Sequence, residues 1–164
     1  MNETKPATPK QMLFMGAFAA AAGAYFLLLG AGLLPIPGGP SNLHGPLWIV
    51  LCVGLAFFLA GAALLIQVIG HANASGDLPA DAPGWMRVMQ YVMGVAIFAA
   101  FAVIGSWVAF GSGEREFSGS FLFFDAQTNA AIGRTAFGIG AIITWLCTIG
   151  FAVIGARKLI GRSK

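Results

Sequence analysis

The residues best suited to chemistry are concentrated in one stretch, GSGEREFSGSFLFFDAQTNAAIGR, over residues 111–134. Glu114, Glu116 and Asp125 are three of the six acidic residues in the chain, and they stand among Phe117, Phe121, Phe123 and Phe124. Paired carboxylates can serve as general acid and base. Here Arg115 separates the two glutamates, and no obvious nucleophile accompanies them. The spacing therefore reads as solvated or ion-paired charge, with Glu114, Arg115, Glu116, Phe117, Phe121 and Asp125 as a contact loop for a partner. GSGERE is not a phosphate loop, because the Gly-Lys-Ser/Thr ending is missing. The weak alternation over residues 117–121 admits a short strand or hairpin, and Asp125 is placed to cap a helical turn.

Other reactive residues are sparse. Cys52 and Cys147 both fall in apolar runs, in neither a CxxC nor a zinc spacing, and read as small packing residues. His44 and His71 belong to different connecting segments, on opposite sides of the membrane in the topology below, so they do not suit the two axial positions of a haem. No motif for a metal, nucleotide or other cofactor appears, no catalytic set is expected, and the expected role is non-enzymatic. A net charge of +3 is too small to argue for nucleic acid.

The elements that position these residues follow from where charge is missing. Between Lys10 and Asp77 there are 66 residues without Asp, Glu, Lys or Arg, and further gaps of 26 and 22 residues follow Arg87 and Arg134. One crossing of a bilayer takes about 20 apolar residues. The first gap thus holds two crossings and the others one each. With 9% charged residues and 58% hydrophobic ones, the chain reads as a single all-α integral membrane domain, 1–164, of four transmembrane helices in an up-down bundle. The expected helices are 12–34, 46–69, 85–110 and 133–156, with an outward loop over 111–132. Seven of the eight prolines fall outside these ranges and Pro46 opens the second, as expected of residues that break helix interiors but suit a first turn. The first apolar run continues to Leu34, past the length of a signal-peptide core, so cleavage is not expected.

Lys5, Lys10, Arg87, Arg157, Lys158, Arg162 and Lys164 would share one side of the membrane, and Arg115 and Arg134 the other. The positive-inside rule then puts both termini in the cytoplasm. The short loops and Gly/Ala-rich helices have the look of small bacterial inner-membrane proteins. Trp48, Trp85 and Trp107 stand at helix ends, as in an aromatic belt, whereas Trp145 falls inside helix 4 and must pack internally or face lipid.

Within the spans, Gly16, Gly23 and Gly30 recur every seven residues, as do Gly54 and Gly61, and Gly133 and Gly140. Small residues let helices approach closely in lipid, so these stripes are expected to be packing surfaces, within one bundle or between copies. Gln67 and Gln90 share a depth and suit an interhelical amide pair. Tyr25, Ser106, Thr144 and Thr148 are expected to bond neighbouring carbonyls. GAALLI at 61–66 resembles GFAVIG at 150–155, a faint echo between the two halves. No ionisable residue lies deep in a span, which argues against a proton-coupled pump. The expected role is accessory, assembly or scaffolding, through helix packing and the 111–132 loop. The alternative is a channel or carrier for a neutral or apolar small molecule. The expected partners are membrane lipid and either a second copy of the chain or another membrane protein.

Overall fold

The computed structural model describes residues 8–39, 45–73, 76–79, 81–111 and 126–160. They form four helices: α1 (Pro9–Gly30), α2 (Leu47–Ile69), α3 (Gly84–Phe110) and α4 (Ala126–Ile160). All four are long and apolar enough to cross a membrane. Large apolar side chains remain exposed along them, Phe14 to 72% and Leu146 to 64%. In a soluble protein such surface would be costly. In lipid it is the expected exterior.

α1 begins and ends earlier than hydropathy alone suggests. Thr8 caps it: the Gln11 amide N–H donates to Thr8 Oγ1 at 3.3 Å, and Gln11 Oε1 accepts from the Thr8 amide at 2.9 Å. This capping box satisfies two groups at the helix start. Pro9 follows as the first helical residue, where its missing N–H costs nothing. Among the described residues one proline is therefore inside a helix, in the first turn that tolerates it. The C-terminus is closed at Gly32, with φ +72°. The Leu33 amide donates to Leu28 O at 2.9 Å and the Gly32 amide to Leu29 O at 3.0 Å, the paired bonds of a Schellman motif. Leu33 and Leu34 are apolar but lie beyond this stop.

α2 ends in the same way with a different residue. His71 takes the left-handed position, φ +50°. Its amide donates to Val68 O at 3.3 Å, and the Ala72 amide to Gln67 O at 2.9 Å. α4 is the longest helix at 35 residues, or about 52 Å at ~1.5 Å per residue. It begins seven residues before the expected start and runs four past the expected end. Its polar first turns and its terminal Arg157 and Lys158 extend beyond what a bilayer core of about 30 Å requires.

The helices pack in series, antiparallel, α1 on α2, α2 on α3 and α3 on α4; among the described residues α1 and α4 do not touch. The four helices are compatible with a four-helix bundle, and this series leaves the outer faces of α1 and α4 without a helical neighbour. The α1–α2 seam is built from glycine. A Cβ on Gly16 would lie 3.1 Å from Gly61 O, and one on Gly54 would lie 2.7 Å from the Leu27 amide nitrogen. A Cβ on Gly30 would lie 2.8 Å from Leu51, and one on Gly61 would lie 2.6 Å from Gly16 O. Gly23 meets the Phe58 backbone. Buried apolar residues elsewhere are mostly alanine, including Ala56, Ala100, Ala102, Ala109 and Ala141. Close approach of backbones, rather than burial of large side chains, holds the helices together.

The α3–α4 seam has a different composition. Phe98 stacks on Phe151 with centroids 5.0 Å apart, and a Cβ on Gly105 would meet Ala141 Cβ at 3.3 Å. Gly140, by contrast, has nothing within 4 Å of its Cβ position, so the expected glycine seam of helix 4 does not extend to it. Gly150 is equally open whereas Gly61 is tightly enclosed. The sequence echo between 61–66 and 150–155 is thus not an echo in packing.

Candidate functional site

The contact loop expected from the sequence, Glu114, Arg115, Glu116, Phe117, Phe121 and Asp125, lies outside the described residues, as do the strand or hairpin over 117–121 and His44. What the structure places near that end is Arg134. Its Nη2 donates to Gly111 O at 2.6 Å. Gly111 is the C-cap of α3, so the guanidinium sits where a helix dipole and its terminal carbonyls favour a cation. At the same end, Trp48 and Trp107 meet edge to face with centroids 5.7 Å apart.

Two cavities occur along the second hairpin. The first, about 560 Å³, opens between α3 and α4. Phe98, Phe101, Ile104 and Phe137 supply bulk, and Gly140 and Ala141 leave the room. Its one hydroxyl, Thr144 Oγ1, donates to Gly140 O at 2.7 Å. Ser106 and Thr148 likewise donate to the carbonyls of Ala102 and Thr144. These three hydroxyls therefore serve the backbone one turn earlier, whereas Tyr25, expected to do the same, packs edge to face on Phe26 instead, centroids 5.7 Å apart. Trp145 reaches across the seam and donates its indole N–H to Ser106 Oγ at 3.1 Å, which gives that mid-helix tryptophan a partner on α3.

The second cavity, about 460 Å³, lies at the opposite end of the helices and is polar. Asp77 and Leu78 come from the α2–α3 connection, Arg87, Gln90 and Tyr91 from the start of α3, and Arg157 and Lys158 from the end of α4. Its walls are braced. Arg87 Nη2 donates to Pro79 O at 3.2 Å and to Ala82 O at 2.9 Å. Gln90 Nε2 donates to Gly76 O at 2.7 Å. The Gln67 amide lies 3.4 Å from the Gly76 Cβ position. Gln67 and Gln90 thus converge on the loop backbone between them, rather than bonding each other as the sequence suggested. Tyr91 lies against Gly155, whose Cβ position is 3.1 Å from the ring. Lys158 Nζ stands 6.0 Å from the centroid of the same ring.

Sequence reasoning used Arg87, Arg157 and Lys158 only to count charge by side. Their convergence depends on the antiparallel register of α3 and α4, which places residues some seventy positions apart at one level. The available signal was the pairing of a basic helix start with a basic helix end on the same predicted side. Cys52 and Cys147 are free, on helices that do not touch. Among the described residues no group of three His, Cys, Asp or Glu could hold a metal ion.

Four apolar helices of spanning length define a multi-pass helical membrane protein. No known protein-family model, curated protein or solved structure matches the chain.

Proposed function

We propose that this is a non-enzymatic accessory or assembly protein of a bacterial inner membrane, with both termini cytoplasmic, that works by lateral association of its helices. The observation that carries the reading is the apolar α3–α4 groove, about 560 Å³, with Gly105, Gly140 and Ala141 in its lining. Small residues of this kind allow another helix to approach closely, which is where association in lipid gains its energy. The occupant is an apolar transmembrane helix of a membrane-protein partner or of a second copy. The 111–125 segment, with Glu114, Arg115 and Glu116, adds charge that selects the partner.

The orientation rests on seven Lys/Arg against two. Single cysteines at positions 2, 75, 119 and 163, in a chain with Cys52 and Cys147 replaced by Ala, report it in intact cells. Only the cysteine at 119 should react with an impermeant thiol reagent; reaction at 75 or 163 contradicts the orientation. The association is tested by a photo-crosslinking residue in place of Gly140, in native membranes. Crosslinks to a discrete polypeptide support it, and crosslinks to lipid alone overturn it.

One observation favours a second reading. A cavity of this size and apolarity is also of the order that holds a small ligand, so a carrier or channel for a neutral or apolar molecule remains the alternative. It requires transport by the purified protein in vesicles, and the loss of that transport when Gly140→Leu fills the groove.

A further inference from the structure

The polar cavity at the other end has a separate chemistry. Arg87, Arg157 and Lys158 line it together with Asp77, three cations to one carboxylate. Among the described residues neither Arg157 nor Lys158 forms an ion pair. Three cations gathered in one concave site repel each other and concentrate anions. The scaffold braces the site: Tyr91 on Gly155 sets the wall beneath Lys158, and Arg87 and Gln90 tie Gly76, Pro79 and Ala82 to α3. Gln90 and Tyr91 complete the lining.

We infer that this pocket binds a phosphate-bearing anion, with Arg157 and Lys158 taking the phosphoryl oxygens and Arg87 completing the basic wall. Guanidinium groups suit phosphate because their donors form a planar fork, and an ammonium adds a point charge. Asp77 limits the site. Its carboxylate opposes a second negative charge, so a singly charged phosphodiester fits better than a doubly charged monoester. Two sources supply this chemistry: the headgroup of an anionic phospholipid, or a soluble phosphate compound. The lipid source rests on the reading that the helices span a bilayer; the soluble source does not.

The test uses the full chain purified in a zwitterionic detergent. Binding is followed by native mass spectrometry and by the shift of the thermal transition, with phosphatidylglycerol, phosphatidylcholine and inorganic phosphate as probes. Phosphatidylglycerol should bind saturably, and phosphatidylcholine should not. Arg157→Gln/Lys158→Gln should weaken binding about thirtyfold, given roughly tenfold or less for each basic residue at a membrane surface. Asp77→Asn should strengthen it several-fold, a gain that a misfolded variant cannot mimic. Lys10→Gln, outside the pocket, should change nothing. If inorganic phosphate gives the same saturable shift without lipid, and the same variants alter it, the source is soluble and the site stands. If Lys10→Gln weakens binding as much as the double variant, or if Asp77→Asn has no effect, attraction is that of a basic surface and the pocket is refuted. Failure here leaves the association of α3 and α4 with a partner helix untouched.

Discussion

Gly23 of α1 and Phe58 of α2 meet backbone against backbone. A Cβ on Gly23 would overlap the Phe58 amide and would lie 2.8 Å from Gly54 O. Neither obstacle is the flexible end of a side chain, so relief requires the helices to separate.

Overpacking a close contact costs about 1–3 kcal/mol, and more when backbone must move. Gly23→Ala should therefore lower stability by roughly this amount, and Gly23→Leu by more, despite the better helix propensity of both replacements. Leu28→Ala is the control, since Leu28 is 44% exposed and its loss leaves the seam intact. Thermal unfolding in mild detergent checks the order. A Gly23→Leu protein that melts with the wild type removes the glycine seam from the account.

His71 offers a cleaner test of the helix ends. A non-glycine residue at φ +50° carries a cost of roughly 1–2 kcal/mol relative to the right-handed region. His71→Gly should relieve it and raise the melting temperature slightly, the gain reduced by the entropy glycine loses on folding. His71→Val should lower it by about 1–2 kcal/mol, because a β-branched side chain tolerates this conformation worst. If the imidazole served a ligand, both changes would abolish that function equally; as a cap residue, only the valine variant suffers.

The reach of the sequence can be judged from the same residues. Gaps in charge located all four helices because a span has no water to pay for an ionised group, so length and apolarity are forced together. The seven-residue interval of Gly16, Gly23 and Gly30 placed them on one face, and the structure sets that face against Gly54 and Gly61. The ends were harder. Hydropathy carried helix 1 through Leu34, whereas backbone geometry stops it at Gly30. The capping pattern Thr8-Pro9-Lys10-Gln11 and Gly32 were the legible signs. Helix 4 was begun too late for the converse reason: Ala126–Gly133 is too polar for lipid, but a helix needs no apolarity once it leaves the membrane. The basic pocket was least legible, because nothing local in Arg87 or Lys158 states that α3 and α4 bring them together.

Arg134 gives a prediction at the opposite end. Its bond to Gly111 O, 2.6 Å and part-buried, is charge-assisted, of a type worth about 1.5–3 kcal/mol. Arg134→Ala should lower stability within that range and loosen the end of α3. Arg134→Lys should recover part, since an ammonium keeps the charge near the helix terminus but has a shorter, unforked reach. Hydrogen exchange at the amides of 107–111 should rise in the alanine variant. Unchanged exchange there would mean that the guanidinium does not hold the α3 terminus.

The sharpest comparison sets two glycines on different helices against each other. Gly140 has nothing within 4 Å of its Cβ position and borders the α3–α4 groove. Gly140→Leu should therefore not disturb folding. Replacing glycine inside a helix gains up to about 1 kcal/mol of propensity, so the melting temperature should hold or rise by a few degrees, opposite to Gly23→Leu. The new side chain would project into the groove and occupy the room that a partner helix needs. Association measured by crosslinking in native membranes should fall while expression and melting are preserved. A Gly140→Leu protein that melts well below the wild type would show that the groove closes in the bilayer, with α3 and α4 filling it themselves. A protein that keeps both its melting temperature and its associations would move the contact to another face. The outer face of α4, where Ile142, Leu146, Ile149 and Val153 are exposed, would be the next to substitute.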